Sequence, residues 1–207
     1  MTLEERTLDW IAPYWNAHHL VRTRDWVVEL EPDASEALRV AALTHDMERH
    51  FPGGPQLDMA TQRPDDEAYN RAHAERSAQI VGDWVREEGA DAALVADVRR
   101  LILDHEFGGW HEADVLQAAD SISWLETNQD VAQKWVREGR CDEDWAREKH
   151  RWSFDRIRIE RARGIERDRR ARAGLADGFD AGDRIIHGGE QLRPAVPVQS
   201  VGVGDEP

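Results

Sequence analysis

Apolar residues recur every three or four positions along most of the chain, which is the spacing of amphipathic helices. Loop signals such as FPGGPQ and Gly108–Gly109 interrupt this pattern. No segment has the sustained alternation and β-branched enrichment of a strand. The pattern predicts an all-α protein with a helix that starts after Asp33 or Ser35 and ends at His45–Asp46. The other predicted helices cover residues 3–10, 15–30, 67–88, 91–104, 113–126, 131–138 and, as one long helix, 142 to about 173.

The helical pattern defines one domain over residues 1–184. Its core covers about residues 15–128, and residues 129–184 form a C-terminal helical extension. Residues 185–207 have no apolar period and contain several prolines and glycines, so we predict a disordered tail there.

Composition and charge narrow the possible partners of the chain. The 207 residues are 40% hydrophobic and 33% charged, and the formal net charge is −15. A global negative field repels nucleic-acid backbones, so duplex DNA or RNA is not expected as a partner. No apolar run approaches the roughly 20 residues of a membrane helix, and the acidic start MTLEERTLDW lacks the regions of a signal peptide. We therefore expect a cytoplasmic protein that does not bind membranes.

Thiol chemistry is limited by the single cysteine, Cys141. One cysteine cannot form an internal disulfide or a cysteine-based zinc cluster. Any metal site in this chain must therefore use histidine and carboxylate ligands.

Ionisable residues stand at positions that the apolar pattern would bury. In AALTHDMERH, an apolar helix leads directly into His45 and Asp46, and Asp120 interrupts the apolar stretch VLQAADSISWL. Burying such groups is costly unless a partner satisfies them. Taken singly, each has an ordinary explanation, such as an arginine partner for Asp120. The interpretation rests on the ordered set of these residues.

The ordered set resembles the HD-domain superfamily of metal-dependent phosphohydrolases. The segments HLVRTRDWVVEL, LRVAALTHD, VRRLILDHE and VLQAADSISWLE resemble the helices that carry the superfamily's motif, and the resemblance covers about residues 15–128. The pattern H…HD…H…H…D is formed by His19, His45–Asp46, His73, His105 and Asp120. His18 is adjacent to His19, but the spacing to Arg22 favours His19 as the motif residue.

The resemblance implies an HD-type helical bundle that binds divalent metal ions, two of them, chosen from Mn, Fe, Co, Ni, Zn or Mg. The aspartate of the HD pair can bridge the two ions in this superfamily. The implied ligands are His19, His45, Asp46 and Asp120 for the first ion, and Asp46, His73 and His105 for the second.

The implied activity is hydrolysis of a small phosphorylated molecule, with a nucleotide among the candidates. Asp46, Glu48 and Arg49 are the candidate catalytic residues, although Glu48 to His50 could equally be the place where the helix reaches water. Positive side chains in reach of the motif would bind the substrate phosphate. The candidates for this role are Arg22, Arg76 and Lys149.

Two other functions remain open. The same ligand order serves mixed-valence di-iron oxygenases, and the site could also belong to a non-catalytic metal- or ligand-binding module. Two subfamilies are disfavoured by the residues after the HD pair. Cyclic-di-GMP phosphodiesterases carry Gly-Lys where this chain has Met47–Glu48–Arg49, and alarmone hydrolases carry Glu-Asp where it has Arg49–His50.

Overall fold

The computed structural model describes residues 1–173, and this part of the chain is helical with no strand. The predicted all-α class is therefore confirmed. The predicted tail, and the predicted end of the domain at residue 184, lie outside the described residues. The helices are α1 (Leu3–Ile11), α2 (Ala17–Leu30), α3 (Glu36–Thr44), α4 (Glu67–Glu87), α5 (Ala92–Asp104), α6 (His111–Thr127), α7 (Gln129–Arg137), α8 (Glu143–Asp155) and α9 (Glu160–Ala173), with a short 3₁₀ helix at Met47–His50 after α3.

Side-chain caps define where several helices begin. Of the two predicted caps of α3, the structure uses Ser35, whose hydroxyl accepts the Leu38 N–H at 3.1 Å. Asp66, Asp91 and Asp142 accept the third N–H of α4, α5 and α8 in the same way. A cap satisfies an N–H that has no partner inside the helix. The predicted helix starts near these residues follow from this local chemistry.

Helices α3 and α6 lie at the centre of the bundle. Helix α3 contacts α1, α2, α5 and α6, and α6 contacts α2, α3, α5, α7, α8 and α9. Seven of the nine residues of α3 and twelve of the seventeen of α6 are buried. Because nearly every face of these helices is covered, polar residues within them or at their ends are removed from water as well.

The C-terminal extension differs from the prediction of one long helix over residues 142–173. The structure contains two helices, α8 and α9, separated at residues 156–159. Ile157 is buried at the break, and Arg156 extends to Glu106 after α5 and to Asp120 on α6. If the helix continued through this segment, Ile157 would lose its buried position and Arg156 would lose its carboxylate partners. Long-range packing thus overrides the local helical pattern.

Helices α7 and α8 close one side of the bundle through a second apolar cluster. Its buried members are Trp124, Leu125, Ala132 and Ala146, from α6, α7 and α8. This cluster fixes α8 against α6, and α6 carries Asp120. None of the helices in residues 1–173 has the length and apolar character needed to cross a bilayer.

Candidate metal centre

Four buried histidines from four different helices converge inside the bundle. His19 lies on α2, His45 directly follows α3, His73 lies on α4 and His105 directly follows α5. Each is at most 1% exposed. The ring centroids are 5.4 Å apart between His19 and His45, 5.1 Å between His45 and His105, and 5.4 Å between His73 and His105. The fold therefore brings together four motif histidines that are far apart in sequence.

The first group of candidate metal donors combines two of these histidines with Asp120. The Nε2 atoms of His19 and His45 lie 3.1 and 3.3 Å from the same Oδ1 of Asp120. One ligand atom from each of the three residues falls within 4.8 Å of the others. All three residues are buried. This is the size and composition of a site for one divalent cation.

The second group consists of Asp46, His73 and His105, with ligand atoms again within 4.8 Å of one another. His73 Nε2 lies 2.9 Å from Asp46 Oδ1. All six residues expected from the sequence thus fall into two groups of three. Asp46 belongs to the second group, and its role as a bridge to the first stays a prediction.

Helix ends set the orientation of two of the imidazoles. His45 and His105 each stand one residue past the end of a helix. Their Nδ1 atoms lie 3.0 Å from the Ala42 carbonyl and 2.6 Å from the Ile102 carbonyl. Carbonyls in the last turn of a helix lack the regular N–H partner four residues on, so each accepts the histidine's Nδ1–H; the Ile102 carbonyl also accepts the His105 main-chain N–H at 3.5 Å. The Nε2 lone pair of each ring is then free to bind a metal.

Side chains orient the other two imidazoles in the same way. His73 Nδ1 lies 2.9 Å from Glu48 Oε1, and His19 Nδ1 lies 2.9 Å from Ser123 Oγ. The Ser123 hydroxyl donates its only proton to the His19 carbonyl, also at 2.9 Å, so it must accept from Nδ1. Glu48, a candidate catalytic residue from the sequence, is thus placed behind a metal-ligand candidate, where its carboxylate holds the ring.

The Nε2 atoms of His19, His45 and His105 are buried and have no hydrogen-bond partner. The first two lie close to Asp120, but these contacts do not have hydrogen-bond geometry. A lone pair that faces a carboxylate oxygen is repelled unless a positive centre lies between them. A proton can bridge one such contact, whereas a metal ion can bind three donor atoms at once. The residues present therefore fit a divalent cation.

Neighbouring charges keep the carboxylates of both groups ionised. Burial opposes the charge of Asp120, yet Arg156 and His45 hold its pKa well below the usual range. For Asp46, Arg49 and His73 overcome burial and also lower the pKa. Burial disfavours the imidazolium of His45, but Asp120 raises its pKa to about 9. The site thus has a strong attraction for positive charge.

A cavity of about 830 Å³ opens onto the two groups. Its lining includes Asp46 and Asp120 together with five cationic side chains, Arg49, Lys134, Arg140, Lys149 and Arg156. Several tryptophans and the loop after the 3₁₀ helix form much of the remaining wall. A pocket of this size accommodates a small molecule, and its cations suit an anionic one.

Lys149 is held in this wall by aromatic rings. Its ammonium lies 4.2 Å from the Trp152 ring centroid and 5.2 Å from that of Trp124. Burial lowers its pKa from 10.5 to about 8. Within the described part of the chain Lys149 makes no ion pair, so its charge is available to a ligand.

The other predicted phosphate-binding arginines lie elsewhere. Arg22 pairs with Glu126 at 2.8 Å and covers Trp26. Arg76 donates to the Pro52 carbonyl at 2.7 Å. Neither lines the cavity. Arg49 does line it, and it bonds to Asp46 at 3.1 Å and to the Tyr69 hydroxyl at 2.8 Å.

Three residues of the centre were not expected from the sequence: Ser123, Glu106 and Arg156. Ser123 orients His19, and Arg156 bonds to Glu106 and to Asp120. Glu106 directly follows His105, so its place next to a motif histidine could have identified it as part of the centre. Ser123 stands one helical turn after Asp120, on the same face of α6. Nothing in the sequence distinguishes Arg156 from the other arginines of the extension.

Comparison with known proteins places the chain in a family. A family model described as a domain of unknown function, DUF4202, matches residues 7–145. No curated protein and no solved structure matches the chain. The chain belongs to the DUF4202 family, whose matched region includes both donor groups and ends before Lys149 and Arg156.

Proposed function

We propose that this DUF4202 member is a metal-dependent phosphohydrolase that acts on a small phosphorylated substrate through a two-metal histidine–aspartate site. The observation that carries the proposal is the set of four buried imidazoles. All four have Nδ1 anchored to a fixed partner and Nε2 turned toward carboxylates that are buried or half-buried. The resemblance of the ordered motif to the HD-domain superfamily supports the same activity.

The two donor groups would hold the ions. His19, His45 and Asp120 form one set of ligands, and Asp46, His73 and His105 form the other. Two bound divalent ions supply hydroxide near neutral pH and stabilise the charge of a phosphoryl group during in-line displacement. Imidazole with carboxylate suits Mn, Fe, Co, Ni or Zn better than Mg.

The cationic wall of the cavity would bind the phosphate. Arg49 and Arg156 are already engaged by carboxylates, whereas Lys149 packs against two tryptophan rings and makes no ion pair among the described residues. We therefore assign the first contact with phosphate oxygens to the Lys149 ammonium. Arg49 is next to Asp46 and would orient the phosphoryl group over the donor groups.

Metal binding and hydrolysis are tested together. Purified protein is analysed for bound metal, loaded with Mn²⁺ or Co²⁺, and assayed for phosphate release from a panel of phosphate esters. We expect turnover in the wild type and none in Asp46→Ala. His45→Ala should lose bound metal, whereas His187→Ala, outside the motif, should retain it.

Two results would redirect the proposal. A mixed-valence di-iron EPR signal with oxygen consumption, and no phosphate release, would make the protein an oxygenase. Tight metal binding without turnover of any ester or oxygen would make the site a structural or regulatory module. If His45→Ala and Asp46→Ala bind as much metal as the wild type, the site assignment itself is wrong.

A further inference from the structure

A third group of possible metal donors overlaps the first two. His105, Glu106 and Asp120 also bring one ligand atom each within 4.8 Å of one another. All three residues are buried, and His105 Nε2, which has no hydrogen-bond partner, lies 3.6 Å from Glu106 Oε1. His105 and Asp120 are shared with the proposed metal site. The chain therefore offers two competing ways to use the same donors.

One side chain fills this third group in the structure. The guanidinium of Arg156 bonds to Glu106 Oε2 and to Asp120 Oδ2. Its Nε also donates to Ser121 Oγ at 2.8 Å, and the side chain is only 9% exposed. Asp120 is thereby divided between two partners: Oδ2 faces Arg156, and Oδ1 faces His19 and His45.

We propose that Arg156 is a positioning residue that occupies the third donor group as a fixed cation and so reserves His105 for the group with Asp46 and His73. The inference rests on the proposed metal site. A guanidinium keeps its charge at any relevant pH, and its planar fork matches two carboxylates. Glu106 is neutralised by it and is no longer a free ligand for a metal ion.

This role explains the interruption of the C-terminal helical pattern. Arg156 stands at the end of α8, where the chain leaves the helix before α9 begins. It also lies beyond the region matched by the family model, which ends at residue 145. The extension would thus determine how the donors of the matched domain are used.

A double-mutant experiment with Co²⁺ tests the proposal. Co²⁺ binding is followed by visible absorption, which reports the ligands, in the wild type, Arg156→Ala, Glu106→Gln and the double variant. In the presence of Arg156, Glu106→Gln should change Co²⁺ affinity by less than about twofold. In the Arg156→Ala background Glu106 becomes a ligand, so Glu106→Gln should weaken Co²⁺ binding by about tenfold or more.

Two further measurements separate this role from a general effect on folding. Arg156→Ala should show an altered Co²⁺ spectrum, and millimolar guanidinium should return it toward that of the wild type. Arg158→Ala is the matched control, because Arg158 lies in the same segment with a half-exposed side chain. Its spectrum should equal that of the wild type. If circular dichroism shows that Arg156→Ala is unfolded, Arg156→Gln replaces it.

The possible failures are distinguishable. If the wild type binds Co²⁺ and His45→Ala does not, while Arg156→Ala keeps the wild-type spectrum, only the role of Arg156 is overturned. Equal effects of Glu106→Gln with and without Arg156 overturn it as well. If the wild type and His45→Ala bind Co²⁺ equally or not at all, the proposed metal site fails, and this inference fails with it.

Discussion

At the scale of the residue, the Nδ1 partners determine which chemistry the histidines can perform. Two imidazoles use main-chain carbonyls in the last turns of helices, and two use side chains, Glu48 and Ser123. Each partner fixes the tautomer and the angle of its ring. Replacing such an outer partner typically costs about 10- to 100-fold in metal affinity. The side-chain partners can be removed by mutation, so they provide a direct test.

Ser123→Ala removes the hydrogen-bond acceptor of His19 Nδ1 and leaves every proposed metal ligand in the sequence. The ring loses its orientation, and we expect affinity for Co²⁺ or Mn²⁺ to fall by about 10- to 100-fold. Isothermal titration measures this change. Thr127→Ala is the control, since Thr127 lies on the same helix and its hydroxyl bonds only to the Ser123 carbonyl. Equal affinities in Ser123→Ala and the wild type would contradict the assigned role.

Lys149→Met should make the folded protein more stable and weaken substrate binding. The pKa of Lys149 is about 8 in the folded chain, against the ordinary 10.5, so the folded state disfavours the proton. The resulting penalty is complete below about pH 8 and disappears as pH rises to about 10.5. Lys149→Met should therefore unfold at a higher temperature than the wild type at pH 7, with a difference that shrinks at pH 10.

The same variant should lose substrate binding. Without the ammonium, we expect KM for a phosphate ester to rise at least about tenfold. Arg86→Met, which removes a largely exposed cation on α4 that does not line the cavity, serves as the control for both measurements. A stability gain that is independent of pH would contradict the shifted pKa. An unchanged KM would remove Lys149 from the substrate site.

At the scale of the element, local signals predicted the helices well and long-range contacts less well. Ser35 and Asp91 cap their helices through neighbouring N–H groups, which is visible in the sequence. The break between α8 and α9 depends on Arg156 meeting Glu106 and Asp120, which are 50 and 36 positions away. Such pairing has no local signature. For the same reason, the motif predicted the histidines but not the groups that hold them.

Gly54→Ala tests the loop that follows the 3₁₀ helix. A Cβ at residue 54 would overlap the Oε2 atom of Glu48, and the displaced carboxylate could no longer anchor His73. We expect metal affinity to fall by about tenfold or more. Gly164→Ala on α9, where no atom lies near the added Cβ, should keep the affinity of the wild type. Unchanged binding in Gly54→Ala would show that the loop moves without cost to Glu48.

At the scale of the whole molecule, the candidate metal centre connects most of the fold. Helices α2 to α6 each contribute a donor or adjoin one, and α8 contributes Lys149 and the adjacent Arg156. The buried Nε2 atoms of His19, His45 and His105 have no hydrogen-bond partner among the described residues. Cations bound to the donor groups would join helices α2 to α6, which carry or adjoin the donors. Metal binding should therefore be coupled to the stability of the whole bundle.

The coupling is measurable as a metal-dependent melting temperature. A ligand that binds only the folded state at 100 times its Kd stabilises that state by about 2.7 kcal/mol. We expect Mn²⁺ or Co²⁺ to raise the Tm of the wild type by several degrees, and a chelator to reverse this shift. His45→Ala lacks a ligand of the first group and should respond less than the wild type. His111→Ala, whose exposed ring pairs with Glu31, should respond fully. A full metal response in His45→Ala would mean that the ion binds outside these donor groups.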